Sequence, residues 1–224
     1  MIHYHCADIS KGGVFELAGK NLLVSHAYPS PVYSAHEIAQ TVLLDNGAFS
    51  AWKSGKATNW AAFYDWCDRW FVCSTTWAII PDVIDGGEDA QDALIKQWPH
   101  GKRGAPVWHL DEPISRLLRL CDEWERVCLG SAGEFSVVGN DRWHHRMTDA
   151  FNQIAKRHKW MPHLHGLRMQ GVGYLYPFGS VDSADIARNQ NRPQNTIPKM
   201  AERLDRVQPK IGWTPLPLQQ ELSA

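Results

Sequence analysis

Short apolar runs of strand length alternate along most of this chain with longer stretches of helical period, and several runs close on polar or glycine residues. Eight runs stand out: IHYHCAD (2–8), NLLVSHAY (21–28), TVLLDNG (41–47), WAIIPDV (77–83), APVWHLDE (105–112), RVCLGSAGE (126–134), HLHGLRM (163–169) and FGSVDSAD (178–185). Strands separated by helices are the rhythm of a parallel α/β fold. The intervening helices carry terminal signals. TNWAAFYDWCDRWF opens on Thr58 or Asn59 as N-cap, EDAQDALIKQW places acids in its first turn, and PISRLLRLCDEW starts with Pro113. DRWHHRMTDAFNQIAKRH has Asp141 as its expected cap and bases at its end, and IPKMAERLDRV is a fifth helix.

Eight strands alternating with helices predict an α/β fold, a compact (β/α)8 TIM-like barrel spanning 1–207, followed by a loose proline-rich tail over 208–224. The linkers 29–40 and 170–177 are short for full crossover helices. In such a barrel the functional groups gather at the C-terminal ends of the strands. The candidates there are Asp8, His26, Asp45, Asp82, His109, Asp111, Gly130, Glu134, Gly166 and Asp182.

Composition narrows this picture. The chain has 224 residues, enough for one substantial core, with no repeat or internal linker. Lys plus Arg of 23 against Asp plus Glu of 24 excludes a global basic field, so any polyanion site is local. The five cysteines lack C-x-x-C spacing and the N-terminus lacks a signal-peptide plan, which predicts reduced thiols in a cytoplasmic protein. No apolar run approaches the ~20 residues of a membrane span. The 11 tryptophans serve either as core filler or as stacking platforms for bases.

The stretch TVLLDNGAFSAW (41–52) poses the chemical question. Asp45 either merely opens the Asn46-Gly47 turn or is a fixed carboxylate doing acid/base or nucleophilic work. Asp45, Asp82 and Asp182 lie at different strand ends that a barrel brings together. One carboxylate can then attack an acetal-type carbon while another handles a proton, the logic of double displacement.

LLDNGAFSAW resembles the D-S-G-G-F/Y-Q segment of the tRNA-guanine transglycosylase superfamily, and FGSVDSADIARN resembles its M-F-D-C-V-L-P-T-R segment, with Arg188 six residues after Asp182. AIIPDV, CLGSAGE and HLHGL are similar to further family landmarks in the same order. LHGLRM and YPFGSVDS are closer to the phage and bacterial DNA-modifying branch, which implies a bacterial host cytoplasm. The resemblance spans roughly residues 1 to 190.

It implies exchange of guanine in DNA for a free 7-deazaguanine base, such as 7-cyano-7-deazaguanine. Asp182 would be the nucleophile at C1′ and Asp45 the general acid/base. Asp82 would accept the guanine N1–H and exocyclic amine, and His109 would donate to O6. Gly130, Ser131 and Gly133 would let the flat base approach, with Asn46, Phe49 and Arg188 completing the pocket. Lys53, Lys56 and Arg192 would hold phosphates, and Trp52, Tyr174 and Phe178 would support a flipped base.

No redox cofactor or energy source is needed for such a swap. His3-x-His5 and His163-x-His165 have spacing suited to zinc, but they are read as pocket or polar core residues, with no metal assigned. The zinc module near the C-terminus of the tRNA enzymes has no counterpart after Cys128, which favours DNA over tRNA. A helper protein that opens the duplex is a further possible partner. The rival readings are the same exchange on tRNA, a base-releasing N-glycoside hydrolase and an inactive nucleic-acid-binding barrel.

Overall fold

Each apolar run becomes a strand in a computed structural model of the protein, whose described residues are 1–9, 12–209 and 212–215. The strands are β1 (Ile2–Cys6), β2 (Asn21–Ser25), β3 (Thr41–Asp45), β4 (Trp77–Ile79), β5 (Gly104–Ala105), β6 (Val107–His109), β7 (Arg126–Gly130), β8 (His163–Gly166) and β9 (Ser180–Ser183). All pairings are parallel, in the order β5-β4-β3-β2-β1-β9-β8-β7-β6.

The expected count of eight is corrected to nine because the run 105–112 is divided. Pro106 has no N–H to give to a ladder. β5 therefore pairs with β4, and β6 with β7, while the Pro106 carbonyl still accepts from Cys128 N at 2.8 Å. The two ends of the sheet are thus consecutive in the chain, and the sheet forms a nearly closed, irregular barrel.

The helices are α1 (Val32–Ile38), α2 (Ala48–Lys53), α3 (Trp60–Trp70), α4 (Glu88–Gln97), α5 (Ile114–Glu123), α6 (Asp141–Arg157), α7 (Asp185–Asn189) and α8 (Ile197–Asp205). The five expected helices are α3, α4, α5, α6 and α8, whereas α1, α2 and α7 are too short to leave a clear period. Single 3₁₀ turns at Gly13–Leu17 and Gly173–Leu175 stand where β1 and β8 would otherwise be followed by helices. Asn59 caps α3 through Ala62 N. On α6 the cap is Asn140, whose Oδ1 accepts from Trp143 N at 2.8 Å, and Asp141 is the first helical residue.

Period 2 along the strands sorts side chains into two environments. Tyr4, Leu23, Leu43, Trp77, Ile79, Ala105, Val107 and Cys128 fill the barrel interior. The alternate residues meet the helices in two outer layers, such as Leu22, Val42 and Leu44 against α3, and Val127, Leu129 and Leu164 against α5 and α6. On α6 the buried stripe Trp143, Met147, Ala150, Phe151 and Ile154 follows the helical repeat.

His3 and His5 face outward, away from the mouth. His3 Nε2 meets the Val207 carbonyl at 2.7 Å, and His5 Nε2 meets Asp205 at 2.9 Å, with Lys20 also on Asp205. They clamp the end of α8 to β1. Gln208 bonds the Met1 carbonyl. Trp213 packs on Phe151 and Tyr176 and donates to Asn152, so this part of the expected loose tail is tied down. Residues 216–224 lie outside the described residues.

Among the described residues no helix is long and apolar enough to cross a membrane. In urea titrations, Asn140→Ala is expected to lower stability by ~1 kcal/mol, the usual worth of such a cap. Asp141→Ala should remove only a smaller helix-dipole contribution. Equal losses would contradict the assignment of the cap.

Candidate active site

Inward-facing positions at the C-terminal ends of the strands place Cys6, Ser25, Asp45, His109, Gly130 and Asp182 around one mouth, with Asp82 just beyond β4. The charges of Asp45, Asp82 and Asp182 act on one another and on the same buried thiol, Cys128. Three carboxylates from distant parts of the chain therefore share one site. The Cys6 thiol beside them is pushed up to about 11, first by burial and then by Asp8, Asp45 and Asp182, against a hydrogen bond from the backbone near Asp8.

Asp82 is buried and held on both oxygens. Asn46 Nδ2 donates to Oδ1 at 2.9 Å, and His109 Nε2 lies 3.0 Å from Oδ2. Asn46 is itself fixed, because Nδ2 also reaches the Ile80 carbonyl at 2.9 Å and Oδ1 accepts from Ala48 N at 2.8 Å. Gly47 adopts φ 77°, and a side chain there would approach Ala27 N to 3.1 Å. The turn thus has a structural role in which Asn46 is as constrained as Asp45.

Gln91 settles the tautomer of His109. Its Oε1 accepts from Val83 N at 3.0 Å and its Nε2 donates to the Val83 carbonyl, so the amide cannot be reversed. The same Nε2 donates to His109 Nδ1 at 3.1 Å, leaving the imidazole proton on Nε2, directed at Asp82. Burial, the largest effect on His109, lowers its pKa. The Asp82 hydrogen bond and the charges of Asp82, Glu112 and Asp111 overcome it, and the net direction is upward. A second proton on Nδ1 would confront the Gln91 amide, which opposes charging. Both ring nitrogens are engaged, and His109 acts as a positioning residue for Asp82.

Asp182 is held on one side only. Oδ1 accepts from Arg168 N at 2.8 Å and faces His165 Nε2 at 3.3 Å. Arg168, at φ 55°, is the one non-glycine residue with positive φ among the described residues, and this conformation turns its N–H onto Asp182. Its guanidinium lies 3.6 Å from the centre of the Phe49 ring, within electrostatic reach of all three carboxylates.

Asp45 has the weakest support. A side-chain hydrogen bond from Ser25 and the Gly47 N–H at 3.3 Å favour its charged form. Burial, followed by the charges of Asp182 and Asp82, pushes it the other way, up to about 6. It is the group poised to exchange a proton near neutrality.

The other expected residues have different surroundings. Gly130 is buried, and a side chain there would strike the His109 ring at 2.6 Å. Ser131 accepts from Trp143 Nε1 at 2.9 Å and anchors α6, while Gly133, at φ 53°, packs on Asp111. Arg188 at the end of α7 is exposed, and its charge acts on Arg168. Lys53, Lys56 and Arg192 are exposed. Asp8, Asp111 and Glu134 also remain exposed, with Glu134 paired to Arg142.

Among the proposed base supports, Trp52 is exposed and donates to Asp85, and Tyr174 is exposed. Phe178 is corrected to a core residue, packed on Phe151 and Tyr176. Among the described residues, no group of three or more His, Cys, Asp or Glu side chains is placed to hold a metal ion.

A cavity of about 340 Å³ opens on the far side of the Asn46-Gly47 turn. His26, Tyr28, Ser50, Lys56, Thr58 and Trp60 line it, and no carboxylate does. It adjoins the acid cluster without containing it. No protein-family model, curated protein or solved structure matches the chain.

Arg168, Gln91 and Ser25 join this site without a motif to mark them, whereas His165 is one of the histidines expected in the pocket or polar core. Carboxyl NMR should give Asp45 a midpoint of about 6. Asp182→Asn should lower that midpoint, and Ser25→Ala should raise it. Because the folded state holds this proton more tightly than the unfolded chain, Asp45 contributes a loss of stability as pH rises from ~4 towards its folded value. Asp45→Asn should remove that part of the slope in pH-dependent urea titrations.

Proposed function

We propose that the protein is a base-exchange transglycosylase that replaces guanine in DNA with a 7-deazaguanine through a covalent glycosyl-aspartate. The observation that carries this reading is the asymmetric treatment of two carboxylates at one mouth. Asp182 Oδ1 accepts from Arg168 N and faces His165 Nε2, Oδ2 has no hydrogen-bond partner among the described residues, and Asp45 is pushed up to about 6. A nucleophile and a proton carrier are what two successive displacements at an anomeric carbon require. The resemblance of LLDNGAFSAW and YPFGSVDS to the DNA-modifying branch supplies the substrate class.

In the first displacement Asp182 Oδ2 attacks C1′, the C1′–N9 bond breaks with its electron pair going to guanine, and protonated Asp45 supplies the proton. In the second, ionised Asp45 takes the N9 proton of the incoming base as its N9 attacks C1′ and the bond to Asp182 breaks. Two inversions give net retention, and Asp45 returns to its starting state. Asp82, oriented by Asn46 and His109, would accept the N1–H and amine of either base. The cation of Arg168 on Phe49 would border the pocket near the sugar and phosphate.

The cavity beside the Asn46-Gly47 turn fits the next nucleotide of the strand. It offers aromatic faces from Tyr28 and Trp60, a cation from Lys56 and hydroxyls from Ser50 and Thr58. The target base itself must leave the stack to reach Asp82, so single-stranded or locally opened DNA is the expected substrate.

With guanine-labelled DNA, label should be released only when 7-cyano-7-deazaguanine is present. Release from tRNA alone would move the substrate to tRNA, and release without an incoming base would make the protein a hydrolase. Asp182→Asn should abolish the trapped adduct. Asp45→Asn should still accumulate adduct from substrates with good leaving groups but complete exchange ~10²–10⁴-fold more slowly, the usual worth of a general acid/base. In a separate binding titration, Lys56→Ala should weaken oligonucleotide affinity and reduce the slope of log affinity against log salt by about 0.7, one single-strand phosphate contact. An unchanged slope would remove Lys56 from the strand path.

A further inference from the structure

Beneath Asp182, the barrel interior holds a line of polar side chains that the exchange does not touch. Ser180 lies two residues before Asp182 on β9, so its side chain enters the same interior. Its hydroxyl oxygen is 2.9 Å from His163 Nε2 and 2.8 Å from His165 Nδ1. His165 is fully buried between the edges of Tyr4 and Trp77. Its Nε2 makes no hydrogen bond of good geometry and faces Asp182 Oδ1 at 3.3 Å.

One hydroxyl hydrogen cannot serve two imidazoles, so two proton arrangements pass through the hydroxyl, and a third, with both rings donating to Oγ, leaves His165 with the same lone pair on Nε2 as the second. In the first, His163 donates from Nε2 to Ser180, Ser180 donates to His165 Nδ1, and His165 carries its proton on Nε2, aimed at Asp182. In the second, each bond is reversed, and His165 presents a lone pair to Asp182 Oδ1. A carboxylate at Asp182 is repelled by that lone pair and accepts only the first arrangement. Two acceptors facing each other in a site this buried repel, whereas an N–H on Nε2 is drawn to the charge of the carboxylate.

We infer that His163, Ser180 and His165 form a directional hydrogen-bond relay through the barrel that caps Asp182 Oδ1 and leaves Oδ2 bare to attack, with His165 as the positioning residue. The mechanistic part rests on Asp182 being the nucleophile, whereas the tautomer assignment stands without it.

The surroundings are consistent with one ring proton on His163. Burial first, then the charges of His165, Arg126 and the N-terminal amine, pushes its pKa down to about 4. Arg126 lies over Trp77 at the lower end of the interior. Asp45, Asp82 and Arg168 are the charged groups facing Asp182 at the upper end.

The test is imidazole ¹⁵N NMR on the unliganded protein between pH 5 and 8. His163 and His165 should both carry hydrogen on Nε2, with His165 Nδ1 accepting from Ser180, and a proton on His165 Nδ1 would overturn the relay. Ser180→Ala should leave His165 with its proton on Nε2, held there by Asp182, and should turn His163 into a mixture of tautomers. A His163 that stays purely Nε2–H in that variant would equally overturn the relay.

For the mechanistic part, adduct formation on DNA is the readout. His163→Gln, which keeps an N–H near the Nε2 position, should retain the wild-type rate within ~3-fold. His163→Leu should slow it ~10-fold or more at unchanged KM, the scale on which orienting partners act. Equal rates in Gln and Leu variants of matched thermal stability would sink the positioning role. If the wild-type protein forms no adduct on any nucleic acid, the exchange reading and this mechanistic role fall, and the NMR result still decides the tautomers.

Discussion

Three carboxylates are confined to one partly desolvated mouth, and most of the surrounding architecture answers the repulsion among them. Unit charges a few ångströms apart interact by several kcal/mol at the effective dielectric near a protein surface. Each carboxylate is compensated to a different degree. Asp82 has a donor on each oxygen, from Asn46 and His109, while among the described residues Asp182 has the Arg168 N–H as donor on one oxygen. Asp45 has a serine and a long bond from Gly47, so burial first, and the charges of Asp182 and Asp82 after it, raise its pKa. In the proposed exchange, the division of labour between acid, nucleophile and recognition group would rest on this unequal hydrogen bonding of the same side-chain type.

Those hydrogen bonds are held by a second layer. Glu112 Oε2 accepts from His109 N at 3.0 Å and from Arg116 Nη1 at 2.7 Å, and the same guanidinium reaches the Val107 carbonyl and Asp92. Arg116 is buried on a helix whose remaining inward positions are apolar, and it ties α5 to α4 and β6. A buried ion pair of this kind contributes little net stability, because desolvation offsets attraction. Its value here is geometric, since it fixes the backbone from which His109 reaches Asp82.

Much of the barrel was legible because its strands are bounded by turn residues and its longer helices have clear stripes and caps. The strand-end argument found Asp45, Asp82, His109 and Asp182 together for the same reason, since period 2 and parallel pairing dictate which ends converge. The division at Pro106 was also written in the chain as an imino acid inside an apolar run. Arg168 was not legible, because nothing in GLRMQG marks arginine as the residue to take a left-handed conformation. Gln91 was hidden among the acids that open α4, and the Asn140 cap was masked by the equally suitable Asp141 beside it. Hydrogen-bond direction, which separates His109 the donor to guanine from His109 the holder of Asp82, depends on partners 18 and 27 residues away.

The clamp of α8 on β1, together with the pairing of β1 to β9, has a consequence for how the molecule comes into being. β1 precedes the other described strands in the chain, yet one of its neighbours is β9, the last of them, and its outer face awaits the helix after that. Such distant pairing makes closure a late and slow event compared with formation of the local helices. Asp182 rides on that final strand. A nascent chain carrying every other group of the mouth therefore lacks the carboxylate proposed as nucleophile, and the three-acid mouth is assembled only when the ring of strands is complete.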